Sequence, residues 1–280
     1  MLINDTHRFA FVHIPKCAGT TVRNAMAPYD EHRGRFYDRA VSDHSALGLL
    51  DYPHIPLSAL QDYFPEDFAK LRTYRSFAIL RDPYSRFPSS LHERFVQRDR
   101  RPLSERDKGE VTREVDKVLA LLARHPSDEP ILDPTLIHFS RQRDYIMLGD
   151  EQIVSRPSVI GDVDQMLDEI SDLVGEKVRP EESKNRRLVY RNRAIEKLQL
   201  AVTRPIEQLL PRRIWKPAFK PIKAAFQTAG ILQAGGNPLS NLENADDIRA
   251  FVTDFYAEDI ALYRRFAGKA DEAVPREKSA

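Results

Sequence analysis

Apolar and polar positions fall into blocks whose periods change along the chain. Phe9-Ala10-Phe11-Val12 is an unbroken apolar run that yields to Pro15, Lys16 and Gly19 and then to Thr20-Thr21-Val22. This pattern predicts a buried strand, a loop and a helix that stops by Pro28. The same unit recurs where Ser76-Phe77-Ala78-Ile79-Leu80 ends at Arg81-Asp82-Pro83 and the helical spacing of SRFPSSLHERFVQR follows. Two strand-to-helix junctions of this kind predict an α/β fold built on a parallel sheet.

Between them, SALGLL, LSALQDYF and PEDFAKLR read as short helices set apart by Pro53, Pro56 and Pro65. After a charged loop over 99–110, Val111, Val115, Val118, Leu119 and Leu122 recur at helical spacing up to Pro126. Ser158-Val159-Ile160 reads as a further strand. Asp162 then caps a helix with Val163, Met166, Leu167, Ile170, Leu173 and Val174 on one face, and Gly175 stops it. The last amphipathic block, from Ile248 to Tyr263, carries a broad apolar face suited to packing against the sheet.

Composition narrows the class. With 280 residues and 41% hydrophobic content the chain has material for a real core. We expect one domain over 1–280 with insertions near 99–130 and 205–240. Lys plus Arg number 43 against 42 Asp plus Glu, a balance without the basic excess of a nucleic-acid binder. Any anion site is therefore local. The single cysteine, Cys17, permits neither an intrachain disulfide nor a multi-cysteine zinc site and fits a reducing compartment. No signal-like stretch or apolar run of membrane-spanning length is present, so a cytoplasmic protein is expected. Nothing in the pattern speaks to oligomeric state.

The first junction, HIPKCAGTT, carries chemistry. A loop that turns from a buried strand into a helix presents free backbone N–H groups to an anion. Lys16 adds a mobile positive charge, Gly19 allows close approach, and Thr20 and Thr21 add hydroxyl donors. The loop is not the ATPase phosphate loop, in which lysine follows the second glycine; here Lys16 precedes the only one. The second junction, RDPYSRFPSS, sets Arg81 at a strand end, Arg86 in the following turn, and Ser89 and Ser90 farther along the helix. Arginine forks and serine hydroxyls suit a second phosphate.

The pairing of HIPKCAGTT with RDPYSRFPSS resembles the sulfotransferases that use 3′-phosphoadenosine 5′-phosphosulfate (PAPS). The resemblance is nearest to the carbohydrate O-sulfotransferase branch with its chondroitin, dermatan and heparan members. FSRQRDYIM, the helix over 162–174, the run Ser183-Lys184-Asn185-Arg186-Arg187 and the terminal YAEDIALYRRF follow in the same order, so the likeness spans most of the chain. Two departures are Cys17, where this branch often has threonine, and the basic segment over 211–223, which has no place in the pattern.

The resemblance implies a P-loop-like three-layer fold, a central parallel sheet flanked by helices. It implies transfer of a sulfuryl group from PAPS, with no metal, to a hydroxyl of a glycan, glycolipid or related acceptor. It places the 5′-phosphosulfate against Lys16, Cys17, Ala18, Gly19, Thr20 and Thr21, with Lys16 facing the leaving oxygen, and the 3′-phosphate against Arg81 and Ser89.

A base for the acceptor hydroxyl is His or Glu in this superfamily, and His44, between the two motifs, is the candidate. His13 is expected to pack the strand end, and His92 and Glu93 to be structural or solvated. His54 and His138 have no supporting context. Cys17 lacks a His or Cys partner and is read as inert. Lys184, Arg186 and Arg187 are candidates to close over the nucleotide or to form a solvated basic turn. The segment RRIWKPAFKPIK either meets an anionic surface or packs its aromatics on the core. Two other readings stay open: a kinase with a variant phosphate loop, for which Asp82 is the tempting Mg²⁺ ligand, and a nucleotide-binding protein without turnover.

Overall fold

The computed structural model describes residues 1–32, 35–36, 41–99, 106–180, 188–190, 232–234, 239 and 245–273. Two compact units emerge, one from Met1–Glu182 with Asn237–Ala280 and the other from Ser183–Gly236. The described part of the smaller unit is an antiparallel pair, Leu188–Tyr190 with Leu232–Ala234. The candidate residues Lys184, Arg186 and Arg187, and the basic segment over 211–223, lie outside the described residues.

The larger unit is mixed α/β. Its main sheet runs β1 (Leu2–Asn4), β2 (Phe9–Val12), β3 (Arg75–Leu80) and β4 (Arg156–Val159) in spatial as well as chain order. β2, β3 and β4 are parallel, in register Val12 with Ala78 and Leu80 with Val159. β1 is antiparallel to β2 and was not anticipated, since three residues are too few to show a period. Parallel strands buried on both faces read as continuous apolar runs. Phe9 to Val12 and Phe77 to Leu80 are accordingly buried throughout.

Helices flank the sheet: α1 (Gly19–Ala25), α2 (Leu57–Tyr63), α3 (Pro65–Thr73), α4 (Pro83–Asp99), α5 (Lys108–Ala123), α6 (Val163–Val174), α7 (Asp246–Phe255) and α8 (Ala257–Ala273). Their ends follow local chemistry. Asp107 caps α5 by accepting the Glu110 N–H at 2.8 Å. α3 starts on Pro65, with Glu66 and Asp67 in its first turn and Lys70 and Arg72 in its last, the order the helix dipole favours. Gly175, at φ 77°, ends α6. Asp162 occupies the cap position of α6, but its side chain makes no capping bond.

Two expectations need correction. SALGLL is not a helix: β5 (Val41–His44) and β6 (Gly48–Asp51) form an antiparallel hairpin there, closed by a three-residue loop with Gly48 at φ 67°. Alanine and leucine favour helix, but a glycine already set for the left-handed region favours the turn. The last amphipathic block, whose division the sequence left open, is two helices, broken at Tyr256. Its hydroxyl donates to the Phe139 carbonyl at 2.7 Å. Ser158-Val159-Ile160 is a strand only to Val159, and Ile160 opens a short turn of tight helix before α6.

One apolar cluster fills the sheet and its helices. A second lies among α4, α5 and α7, around Phe87, Phe95, Val118, Phe139 and Val252. Among the described residues no helix is long and apolar enough to cross a membrane.

Candidate active site

Because β2 and β3 are adjacent and parallel, the loops that leave their C-terminal ends meet. In open α/β sheets, ligands bind in the crevice outside the carboxyl ends of the strands. In the first loop, Lys16 and Ala18 both take positive φ, 64° and 59°. Neither is glycine, so each carries backbone strain of the kind that collects at functional sites. The N–H groups of Cys17, Ala18, Gly19 and Thr20 donate to no other described residue. No acidic side chain stands in the first turn of α1. Successive unpaired N–H groups in alternating backbone hands make a concave anion cradle. Thr20 is exposed and Thr21 half-buried at its rim.

Gly19 has a second reason to be glycine. A Cβ there would stand 2.1 Å from Cδ2 of His13. The imidazole of His13, buried at the end of β2, occupies the space that a side chain would need.

Lys16 reaches across to α4, where its Nζ meets Oε2 of Glu93 at 3.0 Å. Burial works against ionisation of Glu93, but the charge and hydrogen bond of Lys16 outweigh it and hold the carboxyl below its usual range. Glu93, expected to be structural or solvated, is thus a neighbour of the cradle. Glu93 stands one helical turn past Ser89, on the same face of α4, but nothing in the sequence paired it with Lys16.

Arg81 binds the two loops together. Its Nη1 donates to the Lys16 carbonyl at 3.3 Å and its Nε to Ser85 Oγ at 3.0 Å. Ser89 is half-buried on α4 and its hydroxyl has no hydrogen bond to another described residue. The other two polar residues of the second motif work inside the protein. Arg86 is buried and donates to the carbonyls of Pro15, His138 and Ser140, at 3.4, 3.4 and 2.5 Å. Ser90 Oγ donates to the His138 carbonyl at 2.6 Å. Both are therefore braces, not a free phosphate fork. Asp82 caps α4, its Oδ1 accepting the Tyr84 N–H at 3.3 Å.

The structure gathers three histidines beside the cradle: the rings of His13 and His54 lie tilted with centroids 4.4 Å apart, and those of His54 and His138 meet edge to face at 5.7 Å. His54 follows β6 directly, and its Nδ1 lies 3.2 Å from Oδ1 of Asp51. Burial depresses His54 below the ordinary histidine value, and Asp51 opposes that shift without cancelling it. Burial, then the charges of His54 and Lys16, pushes His138 down to about 4. His13 falls well below its ordinary value by burial first.

His44 stands elsewhere in the same hairpin. Its ring packs against Tyr63, Phe64 and Tyr52 at 5.3, 5.6 and 6.4 Å, and its Nδ1 accepts the Ala46 N–H at 3.3 Å. Among the described residues, none of its hydrogen bonds or ring contacts reaches the cradle. The signal that could have singled out His54 is the Asp51-to-His54 spacing before Pro56, legible only once a hairpin was expected there.

Cys17 is buried, and burial lifts its thiol to about 12, so it is no nucleophile. Its Sγ lies 3.2 Å from Oε1 of Gln142. Taken together, the first loop brings together backbone N–H groups that pair with no described residue, a lysine paired with Glu93, a tie to the second junction through Arg81, and three histidines whose burial disfavours their charged form.

A family model described as the sulfotransferase family matches residues 1–264. The chain belongs to that family, and with it to the transferases that move a sulfuryl group to an acceptor. No curated protein and no solved structure matches it.

Proposed function

We propose that this protein transfers a sulfuryl group from PAPS to a hydroxyl of a carbohydrate or glycolipid acceptor. One observation carries the donor reading: the two motifs leave neighbouring parallel strands and are tied by Arg81 Nη1 on the Lys16 carbonyl, inside a chain matched along 1–264 as a sulfotransferase. A nucleotide with phosphates at both ends of its ribose suits two such anion sites side by side. The carbohydrate acceptor is supported by the resemblance of the motifs and of FSRQRDYIM to the carbohydrate branch.

PAPS supplies an activated sulfuryl group on a phosphate that leaves. The unpaired N–H groups of Cys17 to Thr20, with the hydroxyls of Thr20 and Thr21, hold the 5′-phosphate, and Arg81 and Ser89 hold the 3′-phosphate. Lys16 answers the negative charge that grows on the oxygen between sulfur and phosphate, an interaction worth more in the transition state than before it. To serve there it exchanges Glu93 for the ligand.

His44 was the base expected from sequence; the contacts favour His54. An Nδ1–H donated to Asp51 leaves Nε2 as the basic nitrogen, and burial keeps it unprotonated at neutral pH. We take the catalytic domain to span the chain, with insertions near 99–130 and 205–240, supported by the larger unit being built from both sides of 183–236. A cytoplasmic location is supported by the single buried cysteine.

The test is calorimetric titration with adenosine 3′,5′-bisphosphate, 5′-AMP and ATP with Mg²⁺, for the native chain and Arg81→Ala. Preference for the bisphosphate by about tenfold or more, lost in Arg81→Ala, is expected from charge-assisted bonds to the second phosphate. Equal or tighter binding of ATP with Mg²⁺ would replace this reading with the kinase. Transfer of labelled sulfate from PAPS to a panel of glycans and glycolipids then identifies the acceptor, and binding without transfer to any acceptor would leave a nucleotide-binding protein.

A further inference from the structure

We propose that Gln142 is a positioning residue that couples the two anion motifs, so that both ends of a nucleoside 3′,5′-bisphosphate are gripped at one fixed separation. This rests on the donor reading above and extends it to a residue outside both motifs.

Gln142 is fully buried. Its side-chain amide makes a two-point bond to the backbone of Arg81: Oε1 accepts the Arg81 N–H at 2.9 Å and Nε2 donates to the Arg81 carbonyl at 2.8 Å. Arg81 lies just past both ladders of β3, whose last pairs are Ala78 with Val12 and Leu80 with Val159. One amide thus stands in for a missing strand partner where the chain leaves the sheet. The same Oε1 faces the Cys17 thiol at 3.2 Å, in the middle of the cradle. A single side chain thereby touches both motifs.

The amide is itself held. Asp259, buried in the first turn of α8, accepts the backbone N–H groups of Gln142 and Arg143 at 2.7 and 2.9 Å. Its carboxylate lies 3.7 Å from the Arg86 guanidinium, which in turn donates to the Pro15 carbonyl at the entry to the cradle. Together with Arg81 Nη1 on the Lys16 carbonyl, these hydrogen bonds and the one ion pair close a ring: Cys17, Gln142 and Arg81 on one side, Pro15, Arg86 and Asp259 on the other. Gln142 uses both atoms of its amide and Asp259 both of its oxygens in this frame, and a buried polar network whose members hold one another specifies one arrangement. Two anion sites on such a frame act as one bivalent site, whose gain depends on their spacing.

The experiment separates coupling from affinity. Adenosine 3′,5′-bisphosphate, 5′-AMP and adenosine 3′-phosphate are titrated into the native chain, Gln142→Met and Cys17→Ala, each checked by its thermal melt. In Gln142→Met the bisphosphate should weaken by on the order of tenfold, a normal size for coupling between sites. Each monophosphate should stay within about twofold, as expected where a group is not itself in contact. Cys17→Ala, which removes one of the three bonds and folds without leaving a polar group stranded, should weaken the bisphosphate by about threefold. That variant carries the test alone if Gln142→Met does not fold. Equal losses for all three nucleotides, or an unchanged bisphosphate affinity, would overturn the coupling role while leaving the donor reading intact. A native chain that shows no preference for the bisphosphate would overturn both.

Discussion

His54 shows how much of a catalytic residue is made by its surroundings. In the sequence it is one of eight histidines, with no feature to mark it. In the fold, Asp51 orients it, the rings of His13 and His138 pack against it, and burial disfavours its charged form. If it takes the acceptor proton, His54→Ala should lower the rate of transfer by about 10²- to 10⁴-fold while affinity for adenosine 3′,5′-bisphosphate is kept. His44→Ala should leave the rate within a few-fold; the reverse pattern would return the role to His44. The pH profile adds a check. Burial disfavours the imidazolium, so the acid limb of kcat/KM should have its midpoint below about 6.5. Asp51 favours the imidazolium, so Asp51→Asn should move that midpoint lower still, and an upward move would contradict the arrangement.

At the scale of elements, the strand-loop-helix unit from Phe9 to Ala25 is a packing solution as well as an anion cradle. His13 closes the end of β2 by lying where Gly19 has no side chain. Gly19→Ala should therefore force the ring aside and destabilise the protein by about 1–3 kcal/mol, the usual cost of overfilling a packed site. Combined with His13→Ala, the same substitution should cost much less than the sum, seen as a partial recovery of the denaturation midpoint. Additive losses would show that Gly19 matters only for the loop. This close approach is invisible in the motif, where glycine reads as room for a ligand. The two junctions themselves were legible, because an apolar run followed by Pro, Lys and Gly or by Arg, Asp and Pro leaves little choice but strand and turn. The β5–β6 hairpin was not, because its leucines and alanine carry a local helix preference that Gly48 overrides.

For the molecule as a whole, the frame around Asp259 brings carboxyl groups together in the interior, among Arg86, Arg141 and Arg143. Asp144 lies near it with Oδ2 buried and without a hydrogen-bond partner. Burial, then the charge of Asp259, raises Asp144 to about 7, against the opposing pull of Arg141 and Arg143. A carboxyl raised in the folded state favours folding while it is protonated. That contribution is whole below the unfolded value near 4 and is lost as pH climbs through about 7. Asp144→Asn, neutral at every pH, should thus raise the denaturation midpoint at pH 8.5 and change it little at pH 4; a gain equal at both would refute the assignment.

From the sequence alone, the buried parallel strands, the two anion-ready junctions, most helices and the resemblance to sulfotransferases could be read, because each depends on neighbours a few residues apart. Only the tertiary structure decided which polar groups remain available to a ligand. Arg86 and Ser90 look like phosphate ligands and are spent on the carbonyls of residues 138 and 140, while His54 and Gln142 arrive from outside both motifs and Glu93 reaches Lys16 from the second motif's helix. The reason is physical: a strand or a turn is encoded by local period and dihedral preference, whereas the partner of a buried polar group is set by whatever the fold brings within about 3 Å of it.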